Sequence, residues 1–321
     1  MKKVINLLSL VLVLVLSICL FGCKKDDKVQ IAIVQYVSHA SLDTIRDATV
    51  EALKAEGFED GKNCKIIFEN GNGQAATISS IMSSLKAKNV DIIIAIATPT
   101  AAEAIKYSED IPVVFAAVSD PTDILKAGKQ VTGTSDAIQV ELILDYIQKM
   151  MKDNSKDLNK LGFIYNPAEA NSVTNLAKIQ AYLSNTSIEL VAKTISASSE
   201  LELTSKALAS QVDAIFITDD NTVASAMSVL ANVGIENNIP VFCGVDSEVN
   251  DGGLATIGIN YYNLGIETGK MAARVLNGEK AEEIPYKVFD SGLKLFVNKQ
   301  TLNALGMTVS EYDGELVYLN E

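Results

Sequence analysis

Residues 90–104 (VDIIIAIATPTAAEA) and 212–226 (VDAIFITDDNTVASA) align without a gap. Six of the fifteen positions are identical: Val90/Val212, Asp91/Asp213, Ile93/Ile215, Thr100/Thr222, Ala102/Ala224 and Ala104/Ala226. Each copy opens on an apolar run, the kind that forms a strand buried on both faces. Each then turns through polar residues, Thr98-Pro99-Thr100 in one and Asp219-Asp220-Asn221-Thr222 in the other, into small helix formers. That is a strand handing over to a helix N-terminus, where Thr98 or Thr100 is suited to cap free N–H groups and Pro99 fits the first turn. Two such units predict two similar lobes with a ligand between them.

The surrounding pattern repeats too. Strands over residues 29–37, 64–69, 90–97 and 111–118 alternate with helices, and so do strands over 160–165, 189–194, 213–218 and 239–245. The offset is about 120 to 130 residues, and alternation of this kind means βαβ units around a parallel sheet. Helices are expected over 42–56, ending at Gly57, and over 223–233. Gly71-Asn72-Gly73-Gln74-Ala75-Ala76 matches Gly-x-Gly-x-x-Ala, but it follows the second strand and no acidic residue ends the next one. It reads as a tight turn rather than a dinucleotide site. The polar stretch 130–135 (QVTGTS) reads as the separator between the halves. The tail, with strand-like 255–260, 286–289 and 294–297 around a helix at 264–276, fits a return to the first lobe and then to the second. The expected fold is α/β, with two Rossmann-like lobes, parallel sheets and a three-crossing hinge near Thr134, Asn260 and Asp290. The N-terminal lobe would take residues 29–134 plus 261–289, and the C-terminal lobe 135–260 plus 290–321.

The N-terminus sets the compartment. Lys2 and Lys3 precede an almost wholly apolar stretch, residues 4–21, which ends in Leu20-Phe21-Gly22-Cys23. This is similar to a bacterial lipobox. It predicts a signal peptide over 1–22 and a palmitate-bearing lipid anchor on Cys23. A tether over 23–28 would hold the protein outside the cytoplasm on the cell membrane. Cys64 and Cys243 then remain, expected as buried free thiols. A net charge of −13 with no basic stripe excludes nucleic acid. His39 is the one histidine, which excludes a two-His metal site, and neither a Gly-x-Ser-x-Gly elbow nor a Walker loop is present. No cofactor is implied, and Asp219-Asp220, adjacent on the backbone, point apart and make a poor acid–base pair.

In open parallel sheets ligands bind beyond the carboxyl ends of the strands. Those ends carry Gln35, Ser38, His39, Thr98, Thr100 and Asp120 in the first lobe. In the second they carry Glu169, Asn171, Ser172, Asp220, Asn221, Thr222 and Asp246. Free N–H groups at 100–102 or 40–42 suit a carboxylate, and Glu169, Asp120 and Asp246 suit an ammonium or hydroxyl. Each residue also has a plain role as a cap or turn former; it is their convergence on one edge that points to a binding cleft.

Several of these segments together resemble a known family. They are residues 29–43 with Ser38-His39-Ala40-Ser41-Leu42-Asp43, Ala97-Thr98-Pro99-Thr100-Ala101, Val118-Ser119-Asp120-Pro121, residues 166–172, Asp219-Asp220-Asn221-Thr222-Val223 and Gly244-Val245-Asp246. They resemble the ABC-transporter substrate-binding lipoproteins that include tryptophan- and other aromatic-amino-acid-binding members. The resemblance implies a type I periplasmic-binding-protein fold and a monomer capturing Trp, Tyr or Phe for a permease with its ATPase; the wall such a ring needs is not evident in the sequence, where Tyr36, Phe115, Tyr261 and Tyr262 are the candidates for it. A sugar or nucleoside ligand, or a sensor presenting its closed form to a signalling protein, stays open as an alternative.

Overall fold

The computed structural model describes residues 28–320; the signal segment and Cys23 lie outside them. Five parallel strands, β1 (Val29–Gln35), β2 (Cys64–Asn70), β3 (Ile92–Ile96), β4 (Val113–Ala116) and β5 (Val131–Ser135), form the first sheet in the order β2-β1-β3-β4-β5. β6 (Lys160–Tyr165), β7 (Glu189–Thr194), β8 (Ala214–Phe216) and β9 (Val241–Phe242) repeat that order as β7-β6-β8-β9. β10 (Ala255–Gly258) continues the second series. It is tied to β9 by Leu254 N–H to Val241 O (2.7 Å) and Cys243 N–H to Ala255 O (3.0 Å). In both sheets the order reverses beside the first strand, between β1 and β3 and between β6 and β8. Such a switch point splays the connecting helices apart and leaves a crevice.

Helices of unequal length lie between these strands: α1 (Ala40–Ala55), α2 (Ala75–Lys88), α3 (Thr98–Ala104) and α4 (Thr122–Ala127) in the first series. The second holds α5 (Val140–Asp153), α6 (Ala170–Leu183), α7 (Leu201–Ala209), α8 (Asn221–Ala224), α9 (Met227–Glu236) and α10 (Asp246–Asn250). α1 stops at Gly57, whose φ of +98° lets Phe58 N–H reach back to Leu53 O at 2.8 Å. β3 is buried at every position, which is why its sequence is a continuous apolar run instead of an alternating one. Among the described residues no helix is long and apolar enough to cross a membrane, and Cys64 and Cys243 are both buried and unpaired.

Three sequence expectations are corrected. The polar stretch 130–135 is not a separator, because most of it is β5, buried along its whole length. Its polarity is absorbed by partners far along the chain: Thr132 Oγ1 donates to Ile284 O (2.8 Å), and Thr134 Oγ1 meets Thr268 Oγ1 (2.8 Å). The helix expected over 223–233 breaks into α8 and α9 at Ser225-Ala226. Finally, neither Thr98 nor Thr100 caps α3. The helix starts at Thr98 itself, and both hydroxyls are buried with no protein partner.

The tail comes back to the first sheet. α11 (Tyr261–Leu276) lies along α1, and β11 (Lys287–Val288) adds to the β5 edge. The chain then returns to the second series, where β12 (Lys294–Asn298) pairs with β10 and with β13 (Glu315–Leu319), and α12 (Lys299–Ala304) follows β12. The contact between α1 and α11 is close because Gly265 and Gly269, one turn apart, face it. A Cβ at Gly265 would sit 2.6 Å from Ile45 O, and one at Gly269 2.6 Å from Thr49 O; Thr49 Oγ1 instead donates to Gly265 O at 3.1 Å. Gly269→Val forces the helices apart and lowers stability by about 2–3 kcal/mol, read as a lower denaturation midpoint at unchanged slope.

Candidate ligand-binding cleft

The ends of β1, β3, β6 and β8 meet across a narrow cavity of about 20 Å³, room for about one water molecule, so a larger ligand enters only as the lobes part. His39, Ser41 and Leu42 open α1 on one side, with Ala97, Thr98 and Ala117 at the ends of β3 and β4. Opposite stand Asn171, Asp219, Asn221, Val245 and Glu248, while Asp136 and Tyr261 come from the segments that cross between the two sheets. Alanines at 97, 117 and 224 leave the room. Ala97 (φ +79°, ψ 152°) and Ala117 (φ +52°) turn out of their strands in a backbone region unfavourable for side chains. Such strain costs of order 1–3 kcal/mol per residue and persists where the surroundings enforce it.

One polar chain runs through the second lobe into the cleft. Glu169 is fully buried, and its two oxygens accept from Asn221 N (3.1 Å), Asn221 Nδ2 (2.6 Å), Thr222 N (2.9 Å) and Thr222 Oγ1 (2.7 Å). With Nδ2 committed to Glu169, Asn221 presents Oδ1 to His39 Nε2 at 3.1 Å. That nitrogen must therefore be the donor, and Nδ1, buried without a partner, is a bare acceptor. Burial lowers the His39 pKa, so the ring is neutral. Two further bonds cross the cleft: Ser41 Oγ to Ser247 Oγ, and Ser119 Oγ to Asp219.

The cleft is acidic. Asp219 is fixed by Asn175 Nδ2 (2.6 Å), Asp136 by the Tyr261 hydroxyl (2.9 Å), and Ser119 Oγ lies between them, 3.4 Å from Asp136. Burial and the charge of Asp219 push Asp136 up to about 7, and burial also raises Asp219. Glu248 is raised well above the usual carboxylate range by burial and by Asp219. No lysine or arginine among the described residues lines the cavity. Among the described residues no group of three or more His, Cys, Asp and Glu could hold a metal ion.

The sign of the pH dependence follows. A carboxyl group whose pKa is raised on folding binds more protons folded than unfolded, so its favourable contribution is complete at low pH and lost as pH rises through about 7. An ammonium group placed in the cleft takes over from that proton. The melting temperature gained on adding ligand is therefore larger at pH 8 than at pH 5, which thermal scans at the two pH values measure.

Of the thirteen strand-end residues, His39, Thr98, Asn171 and Asn221 line the cavity. Glu169, Ser172, Asp220 and Thr222 stand directly behind it. Asp220 accepts from Asn166 N (2.6 Å), Ser172 Oγ (2.7 Å) and Val223 N (2.9 Å), and so holds the start of α8. The other five lie outside the lining. Gln35 donates to Val37 O and Asp43 Oδ1, exposed Ser38 accepts from Asn70, and Thr100 lies on the buried face of α3. Asp120 accepts from Thr122 N beside a neighbouring groove, and Asp246 accepts from Ser247 N. Of the aromatic candidates only Tyr261 lines the cavity. Tyr36 bonds Gly73 O, Phe115 is packed in the first core, and exposed Tyr262 bonds Glu51. Sequence reasoning missed Asp136, Ser119 and Glu248, and set Asp219 aside. The signal for Asp219 was its adjacency to Asp220, since neighbours on an extended backbone point oppositely and one of the two had to face the cleft.

Residues 30–313 match the family described as ABC transporter substrate binding protein. The chain is 34% identical over 292 residues to a tyrosine-binding protein of Clostridioides difficile, covering 88% of this chain and 83% of the relative. It superimposes with a TM-score of 0.82 on an ABC domain from Streptococcus pneumoniae in complex with L-Trp, at 30% identity and 90% and 100% coverage. Against the ligand-free, open structure of a substrate-binding protein with adhesive properties from Clostridium difficile the TM-score is 0.63, at 34% identity and 91% and 99% coverage. The relative that is nearer in sequence is the farther in shape, so the lobes here stand closer to the tryptophan-bound arrangement than to the open one. With the fold, the crevice and the match over nearly the whole described chain in agreement, this protein belongs to the ABC transporter substrate-binding protein family.

Proposed function

We propose that this protein captures an aromatic amino acid, tyrosine or tryptophan, between its two lobes and passes it to an ABC permease with its ATPase. The observation that carries the reading is the chemical asymmetry of the cleft. One wall offers the free N–H groups that open α1 and the unpartnered Thr98 hydroxyl, donors suited to a carboxylate. The other offers Asp219, with Asp136 beside it from a crossing segment and no lysine or arginine among the described lining residues, acceptors suited to an ammonium. Leu42, Val245 and Tyr261 supply apolar surface between them. The relatives named for tyrosine and solved with L-Trp support the same ligand class.

The moving bodies are residues 29–134 with 261–289, and residues 135–260 with 290–321. Closure buries the ligand and is favoured by it through population shift, with no chemical step. The receptor works as a monomer outside the cytoplasm, held to the membrane by the lipid on Cys23. Calorimetry on residues 24–321 with each of the twenty amino acids tests this: heat with tyrosine or tryptophan is expected. Silence with all twenty, together with heat from a sugar or nucleoside, overturns it. Incorporation of labelled palmitate that is abolished by Cys23→Ala tests the anchor.

A further inference from the structure

The cavity holds more unmet polar atoms than an amino acid's main chain can satisfy. His39 Nδ1, Asn171 Oδ1 and both carboxyl oxygens of Glu248 belong to residues that line it, and all four are buried without a hydrogen-bond partner in the protein. An ammonium has three hydrogens. Asp219 and Asp136, bridged by Ser119 and held by Asn175 and Tyr261, are the fixed acceptors that such a group meets. Glu248 is different. It comes from α10, beyond the end of β9, is 1% exposed, and has no side-chain hydrogen bond holding either oxygen. The backbone N–H groups of Val245 and Gly244 face it outside hydrogen-bonding geometry and only partly offset its burial. A buried carboxyl group in that condition is costly unless something that enters the cavity bonds it.

We infer that Glu248 is the specificity-determining residue of the cleft, taking a hydrogen bond from the polar hydrogen on the ligand's side chain, a phenol O–H or an indole N–H. The inference rests on the aromatic amino-acid reading above and adds a discrimination that reading does not contain. Tyrosine and tryptophan each bring such a hydrogen, whereas phenylalanine fills the same space and leaves Glu248 unmet. A site built around a polar partner rejects the analogue that lacks it far more strongly than an apolar pocket rejects a change of size.

Calorimetry with tyrosine, tryptophan and phenylalanine on the wild type, Glu248→Gln and Glu248→Leu tests it, with thermal scans to establish that each variant is folded. In the wild type phenylalanine binds at least about a hundredfold more weakly than the better of the other two. Glu248→Gln, which keeps a donor and an acceptor, retains the preference. Glu248→Leu loses about a hundredfold for tyrosine or tryptophan and holds or gains affinity for phenylalanine. Equal wild-type binding of all three overturns the inference while leaving the aromatic reading intact. So does Glu248→Leu if it weakens all three alike, since Glu248 would then serve the ammonium. Absence of heat with any of the three overturns both. The wild-type comparison needs no variant, so a Glu248→Leu chain that fails to fold still leaves a decisive result.

Discussion

Asp219→Asn weakens amino-acid binding by about a hundred- to a thousandfold and at the same time raises the melting temperature of the ligand-free protein at pH 8. The two effects have opposite signs because the same charge is responsible for both. In the empty cleft Asp219 is buried near Asp136 and Glu248 with no lysine or arginine in the lining, so an ionised carboxylate there is a cost to the folded state. Once an ammonium arrives, that charge is the partner it needs, and removing one member of a buried, hydrogen-bonded charge pair typically costs about 2–5 kcal/mol of affinity. Asparagine keeps the shape, and its carbonyl still accepts from Asn175 Nδ2. Calorimetry paired with thermal scans gives both numbers. A variant that binds normally, or one that melts well below the wild type, would remove Asp219 from the ammonium's side of the cleft.

Glu169→Ala is the largest stability effect expected, about 3–5 kcal/mol, and it falls on the ligand too without any contact to it. Four donors converge on this carboxylate from Asn221 and Thr222. Alanine leaves all four buried with nothing to bond. Glutamine does little better, because its amide N–H turns one oxygen's worth of acceptor into a donor facing donors. With Asn221 released, its Oδ1 no longer holds His39 Nε2, and the wall of the first lobe loses its fixed tautomer. Equilibrium denaturation measures the loss of stability, and a change below about 1 kcal/mol would contradict the assignment. Glu169 was a reasonable candidate for a ligand acceptor in the sequence, being acidic and at a strand end. The structure commits both of its oxygens to the protein.

What could be read from the residues depended on whether a residue's partner lies nearby in the chain. β3 and the turn after it were legible because an unbroken apolar run followed by Thr-Pro-Thr is a local signal. The same holds for β6 and β7, whose bounds coincide with the expected 160–165 and 189–194. β5 was not legible. Thr132 and Thr134 look like linker residues until Ile284 and Thr268 arrive from 152 and 134 positions away to bond them. Asp136, which follows β5 directly, was lost with it. Glu248 shows the opposite difficulty: neither of its oxygens has a hydrogen-bond partner in the protein, and only the shape of the cavity makes that meaningful. Thr98 was legible as a strand-end residue of the cleft but not as a cap: it opens α3, and its hydroxyl is buried without a partner among the described residues.

The seam where Gly265 and Gly269 let α11 settle on α1 has a bearing on how the chain acquires its shape. Much of the apolar face of α1, and part of the layer over β4 and β5, is sealed only by residues 261–276. A chain made from its N-terminus has therefore completed all five main strands of the first sheet, and the entire series from β6 to β10, before that seal exists. Long-range closure of this kind is slow and leaves apolar surface open meanwhile. The first lobe thus begins earliest and finishes nearly last. A chain ending before Tyr261 presents an unfinished surface to holdase chaperones, and one that reaches Leu276 can close it.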